Sequence, residues 1–154
     1  MIYLGADHRG YYLKEKIKKF LVSQKIEFKD LGNFSYQKDD DYPDFAALVA
    51  QQVLEKPKTD LGIVICGSGQ GVNIVANKYP RVRAALCLSR WMAQKARQDD
   101  NVNVLSLAAD LTDEQTALGI VKTFIITKYT KKTRYQKRLQ KIFRLEKKLY
   151  RSLK

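Results

Sequence analysis

Three short stretches concentrate the side chains able to do acid–base and anion chemistry. The first, Cys66-Gly67-Ser68-Gly69-Gln70-Gly71, sets a thiol and a hydroxyl in a glycine-rich turn. Alternating glycines let successive backbone N–H groups converge into an anion-binding concavity, and a helix N-terminus behind them adds positive potential. Such a nest suits a phosphate or the oxyanion of an enediolate; in isolation, it also fits a tight turn that needs glycine only for sterics. Because the pattern is G-x-G-x-G on a third strand, it is not a dinucleotide fingerprint. No Gly-Lys-Ser/Thr follows it, so it is not a P-loop either. Cys66 enters the turn beside donors that favour a thiolate, the form that acts as a general base. Cys87, in the middle of an apolar segment, reads as a small buried hydrophobe.

The second stretch is Asp7-His8-Arg9-Gly10, which holds the only histidine of the chain. A lone histidine is often structural, but its place directly after a strand and beside Asp7 makes a binding role an equal reading. The third stretch is Arg97-Gln98-Asp99-Asp100-Asn101, ahead of a fifth strand. The run Asp39-Asp40-Asp41 resembles a cation site, yet it lacks partners at metal-binding spacing. It reads as a solvated loop with capping acids, and no metal is expected.

The elements that carry these stretches alternate. Ile2–Ala6 is a short apolar strand, and Gly10–Lys25 has the helical spacing of Leu13, Ile17, Phe20 and Leu21. Glu27–Leu31 is a second strand, closed by Gly32-Asn33. Pro43 and Asp44 open a helix to Glu55, with Phe45, Leu48, Val49 and Val53 predicted inward. Leu61–Cys66 is continuous and β-branched, as a central parallel strand should be. A helix over Val72–Asn77 follows the turn, then a strand at Ala84–Leu88 and a helix capped by Ser89 that reaches Asp99. Val104–Leu107 is the fifth strand, and Thr112 opens a further helix to Thr127. Five βα units with short connections predict one Rossmann-like, three-layer α/β domain over residues 1–154, with a five-stranded parallel sheet and helices on both faces. Ligands of such sheets bind outside the carboxyl ends of the strands, so all three stretches are expected to face one crevice.

The chain has 154 residues and a formal charge of +13. Residues 128–154 hold twelve Lys or Arg and one acid, a local +11, whereas the preceding 127 residues carry only +2. Within that tail Tyr135, Leu139, Ile142, Phe143, Leu149, Tyr150 and Leu153 recur near helical period. The basic segment therefore reads as an amphipathic helix docked on a partner surface with its lysines solvated, rather than as a nucleic-acid arm. No apolar run approaches the length of a membrane span. The N-terminus reads as a strand and not a signal peptide, and the two cysteines as reduced thiols, which together predict a cytoplasmic protein.

In this order and spacing, Gly5–Gly10, Asp41-Tyr42-Pro43, Gly62–Gly71, Asn77-Lys78, Val82-Arg83-Ala84, Asn103-Val104-Leu105 and the pair Arg134 and Arg138 make the chain resemble the family of ribose-5-phosphate isomerase B and the galactose-6-phosphate isomerase subunits. The resemblance covers essentially the whole length. It implies a metal-free, cofactor-free aldose–ketose isomerisation through a cis-enediolate. Cys66 would be the base and Ser68 a proton relay, with the N–H groups around Gly67, Gly69, Gln70 and Gly71 holding the enediolate. Asp7, His8 and Tyr42 would contact the sugar phosphate, and Arg134 and Arg138, one helical turn apart, would clamp its phosphate. The family's site lies at a subunit interface, which implies a homo-oligomer, dimer or tetramer, with a shared active site and an exchanged C-terminal helix.

Four positions depart from the family pattern. Asp99 and Asp100 stand where histidine and asparagine are usual, Asp110 where a phosphate-binding arginine is usual, and Tyr135 where a histidine is usual. Another branch of the family has a glutamate where this chain has Val72, which leaves Cys66 as the one base candidate. Asp99 then takes the place of the ring-opening group and Asp100 that of the group steadying the intermediate. Ribose 5-phosphate is the expected substrate. The alternatives are a cysteine-bearing subunit of a hetero-oligomeric hexose-6-phosphate isomerase and a catalytically degenerate sugar-phosphate binder.

Overall fold

The computed structural model describes residues 1–152; Leu153 of the tail stripe lies outside them. Five strands, β1 (Ile2–Ala6), β2 (Phe28–Asp30), β3 (Leu61–Cys66), β4 (Ala84–Leu86) and β5 (Val104–Ala108), form one sheet in the order β2-β1-β3-β5-β4. Every pairing is parallel. The helices are α1 (Tyr11–Ser23), α2 (Tyr42–Glu55), α3 (Gln70–Ala76), α4 (Arg90–Asp100), α5 (Glu114–Ile126) and α6 (Thr133–Ser152).

The pleat sends alternate strand residues to opposite faces. Leu4, Ala6, Ile63, Ile65, Leu105 and Leu107 join one core with α1, α4 and α5. Val64, Cys66 and Val104 join a second core with α2 and α3. The central strands are covered on both sides, which explains their unbroken apolar runs.

Three expectations change. Leu48 is 45% exposed, because Ala46, Val49, Ala50 and Val53 set the buried face of α2 and Leu48 lies roughly 100° around the axis from Val49. The α5 cap is Asp113, whose carboxylate accepts the Thr116 N–H at 2.9 Å; Thr112 lies before the helix, and its hydroxyl is buried without a partner. The apolar face of α1 includes a lysine: Lys14 is fully buried, with Nζ 2.7 and 2.6 Å from the two Asp30 oxygens. Burial alone would raise the Asp30 carboxyl, but Lys14, Lys18 and the Gly32 N–H hold it below its ordinary value.

Helix α6 has the strongest amphipathic pattern of the chain and no buried residue. It rests on the loops that lead into β3 and β4: its groove includes Pro57, Arg83 and Asn101. The Glu146 carboxylate accepts the Arg81 N–H at 2.7 Å, and the Tyr150 hydroxyl donates to the Lys78 carbonyl. Ile142, Phe143, Leu145 and Leu149 stay exposed. No described helix is long and apolar enough to cross a membrane.

Candidate active site

Strand β1 pairs with β2 on one side and β3 on the other, so the direction in which successive strands are added to the sheet reverses between β1 and β3. The crevice at their carboxyl ends is the place where such sheets bind ligands. Ala6 pairs with Ile65, which brings the β1–α1 and β3–α3 turns side by side. The Asp7 N–H donates to the Ile65 carbonyl at 3.3 Å, and the Asp7 carboxylate accepts the Gly10 N–H at 2.9 Å. Asp7 is 4% exposed, and its burial pushes the carboxyl above its ordinary value despite that bond.

Cys66 ends β3 and is 4% exposed. Its sulfur accepts the Gly69 N–H at 3.2 Å. Gly69 reaches that position with φ 71° and ψ −9°, a left-handed conformation that favours glycine. A side chain there would also meet Leu86 Cδ1 at 2.5 Å. Ser68 projects outward, and its hydroxyl accepts the Gln70 N–H at 3.4 Å. Gln70 is exposed at the start of α3, while Gly67 and Gly69 are buried in the turn. The Tyr42 ring lies on Gly71, where an added methyl would sit 2.5 Å from it. Cys87 is 1% exposed, and burial pushes its thiol up to about 11, as befits a core residue.

His8 is part of a fixed pair. Its Nδ1 lies 2.7 Å from Asp40 Oδ1, and its backbone N–H donates to the same oxygen at 2.7 Å. The Asn33 amide donates to the other Asp40 oxygen at 2.6 Å. The hydrogen bond to Asp40 raises the imidazole above its ordinary value. Burial would raise Asp40, but the His8 N–H, the Asn33 amide and the His8 ring hold it below. Asp40 is therefore no solvated loop residue: its side chain is 6% exposed, and only Asp39 and Asp41 face water. Asp41 occupies the N-cap position of α2, but its side chain makes no capping bond. A separation of 32 residues hid the partnership of Asp40 with His8.

Arg9 and Asp110 were not singled out together by sequence either. They form an ion pair across the mouth of the glycine turn. Asp110 is fixed there because its N–H donates to the Gly67 carbonyl at 3.0 Å, next to the 2.9 Å bond from Ala109 N–H to the Cys66 carbonyl. Among the described residues no cluster of three or more His, Cys, Asp or Glu has the arrangement of a metal site.

Asp99, Asp100, Arg134 and Arg138 do not join this crevice within the chain, contrary to the expectation for the third stretch. Asp99 and Asp100 end α4 just before β5 begins, which is the amino edge of the sheet. Arg83, just ahead of β4, fixes them there: its Nε donates to the carbonyls of Asp100 and Asn101 at 3.1 and 3.0 Å. The Thr130 N–H and hydroxyl donate to the Gln98 carbonyl at 3.2 and 2.9 Å, so α6 starts beside the end of α4. The carboxyl-end rule fails for this stretch because it precedes its strand. The candidate residues thus fall into two groups, one at each end of the sheet.

The fold is a parallel Rossmann-like sheet with a thiol and a glycine turn at its switch point. A family model described as Ribose/Galactose Isomerase matches residues 2–142, and the chain belongs to that family. It is 42% identical over 146 residues to the probable ribose-5-phosphate isomerase B of Mycoplasma genitalium, covering 95% of each chain. The structure of the Mycoplasma genitalium enzyme with bound ribulose-5-phosphate matches with a TM-score of 0.92 over 95% of both chains. The Clostridium thermocellum ribose-5-phosphate isomerase B matches with a TM-score of 0.90 at 39% identity, over 96% of this chain and 98% of that one.

Proposed function

We propose that the chain is a ribose-5-phosphate isomerase that works as a homo-oligomer, with each active site built from two subunits. The observation that carries this reading is the Cys66 sulfur at the carboxyl end of β3, with the Gly69 N–H aimed at it from 3.2 Å. As a thiolate, Cys66 takes the proton from C2 of the open-chain aldose and returns it to C1 of the enediolate, giving the ketose. Ser68 moves a proton from O2 to O1, so the atoms balance without an external oxidant or reductant. The Gly69 N–H supports the Cys66 thiolate and the Gln70 N–H holds Ser68. The N–H groups of Gly67 and Gly71 hold the charge that develops on the enediolate, and Tyr42 closes the wall of the pocket beside Gly71. General-base assistance of this kind is worth roughly 10²–10⁴-fold, and preorganised donors add a comparable factor.

Asp7 holds a substrate hydroxyl, and His8, its ring bonded to Asp40, contacts the phosphate. The second subunit supplies Asp99 to open the sugar ring, Asp100 to steady the intermediate, and Arg134 with Arg138 to clamp the phosphate. Two features support this division. The two groups of residues lie at opposite edges of one chain's sheet, and the apolar stripe of α6 is uncovered in the single chain. A dimer or tetramer in which α6 crosses to the neighbour satisfies both, and a reducing cytoplasm would keep Cys66 a free thiol. Formation of ribulose 5-phosphate from ribose 5-phosphate by the purified protein tests the reading; absence of turnover rejects it.

A further inference from the structure

We infer that Arg9 is a phosphate-binding residue of this chain, held over the glycine turn by Asp110; the inference rests on the sugar-phosphate reading above. Arg9 follows His8 in the β1–α1 turn, and its guanidinium lies on Gly67, so close that a methyl group there would collide with it. Only Nη2 is engaged, by Asp110; among the described residues Nε and Nη1 have no hydrogen-bond partner. A guanidinium has five N–H donors in a fixed fork, so most of its capacity is unused. The Arg9 side chain is 56% exposed, which leaves those donors accessible from the crevice.

The placement matters for charge. Asp110 sits next to Gly67, and an unpaired carboxylate there would repel an anionic substrate. Arg9 neutralises it and still offers N–H groups on its open side. Beside it, Asp40 binds the His8 Nδ1 and raises the imidazole pKa, which favours the protonated ring whose Nε2–H donates. Together they make a two-point anion site at the mouth of the turn: a planar fork from Arg9 and a single donor from His8. A phosphate dianion takes that geometry, because a guanidinium binds two of its oxygens at once. Asp110 then has two effects, orienting the fork and competing with the ligand for it.

Calorimetric titration of the full-length protein with inorganic phosphate tests the assignment, with Arg9→Ala, Asp110→Asn and, as a charge control remote from the crevice, Lys29→Ala. The pair is exposed, so thermal melts of all three variants should match wild type. Arg9→Ala should weaken phosphate binding about tenfold or more, Lys29→Ala should leave it unchanged, and Asp110→Asn should strengthen it. With ribose 5-phosphate, Arg9→Ala should raise KM by the same factor as the loss of phosphate affinity and leave kcat nearly unchanged. Equal phosphate affinity of wild type and Arg9→Ala, or equal losses in Arg9→Ala and Lys29→Ala, overturns the inference. Phosphate binding that depends on Arg9 without any sugar turnover would reject the isomerase reading and keep this site. Turnover with a KM indifferent to Arg9 would do the reverse.

Discussion

One carboxylate oxygen of Asp40 accepts both the backbone N–H and the ring of His8, each at 2.7 Å. The histidine is thereby fixed in position, and its pKa raised, by a residue 32 positions away. The shared oxygen leaves Nε2 as the ring atom free to face the crevice.

Asp40→Asn should move the His8 titration to lower pH. The signs follow from the two shifts. His8 is raised from 6.5, so its contribution to stability is complete below that value and is lost as pH rises through the folded pKa. Asp40 is lowered from 3.8, so its contribution is complete above that value and is lost as pH falls through the folded pKa. The pair therefore stabilises most between those two ordinary values. Because the chain has one histidine, a proton NMR titration of its imidazole reads the shift directly. An unchanged midpoint in Asp40→Asn would show that the carboxylate does not govern the ring.

Gly69→Ala should damage both the fold and the reaction. A left-handed φ costs a non-glycine residue about 1–2 kcal/mol. The new methyl would also meet Leu86 and the Leu107 backbone, at 2.5 and 3.0 Å. The turn would shift, and the N–H that points at the Cys66 sulfur would shift with it. Denaturant melts should show the loss of stability, and kcat should fall more than KM rises. Gly71→Ala, which meets the side chain of Tyr42 instead of backbone, should act mainly on KM.

Asp30→Ala should be among the most destabilising single changes outside the apolar core. It leaves the fully buried Lys14 with only Glu15, at 3.5 Å. Removing one partner of a buried ion pair costs roughly 3–5 kcal/mol. The lowered pKa of Asp30 predicts the acid side as well: its stabilisation is complete above 3.8 and disappears as pH falls through the folded value. Urea melts of wild type and variant across acidic pH should converge. A constant gap would place the effect elsewhere.

If each site needs two subunits, defects at opposite edges of the sheet should complement. Cys66→Ala loses the base, and the double change Arg134→Ala with Arg138→Ala loses the clamp. Co-expressed in equal amounts in a dimer, they should restore about a quarter of wild-type activity, since half of the dimers are mixed and each mixed dimer keeps one intact site. Activity no higher than that of the two parents would mean that both half-sites act within one chain.

The strand–helix alternation was legible because central parallel strands are apolar throughout and helices have their own period. The glycine turn and Cys66 were legible because they are contiguous in sequence. What could not be read is what depends on pairing across the chain. Asp40 looked solvated because nothing local reveals its bond to His8. Lys14 is buried because Asp30, 16 residues on, comes beneath it, a pairing no local pattern shows. Asp99 and Asp100 were assigned to the crevice because they neighbour a strand, although they neighbour its amino end. The strand order, with β5 between β3 and β4, is likewise a matter of tertiary packing.

The most direct test of the central claim is the conversion of ribose 5-phosphate to ribulose 5-phosphate in deuterated water, followed by NMR, for wild type and Cys66→Ser. Wild type should turn over, with deuterium entering C1 of the ketose only in the fraction of turnovers in which the Cys66 thiol exchanges with solvent before it reprotonates the enediolate. Cys66→Ser should lose roughly 10²–10⁴-fold in kcat, with the fold intact. Wild-type protein that leaves the pentose unchanged, or a serine variant as fast as wild type, would contradict the claim.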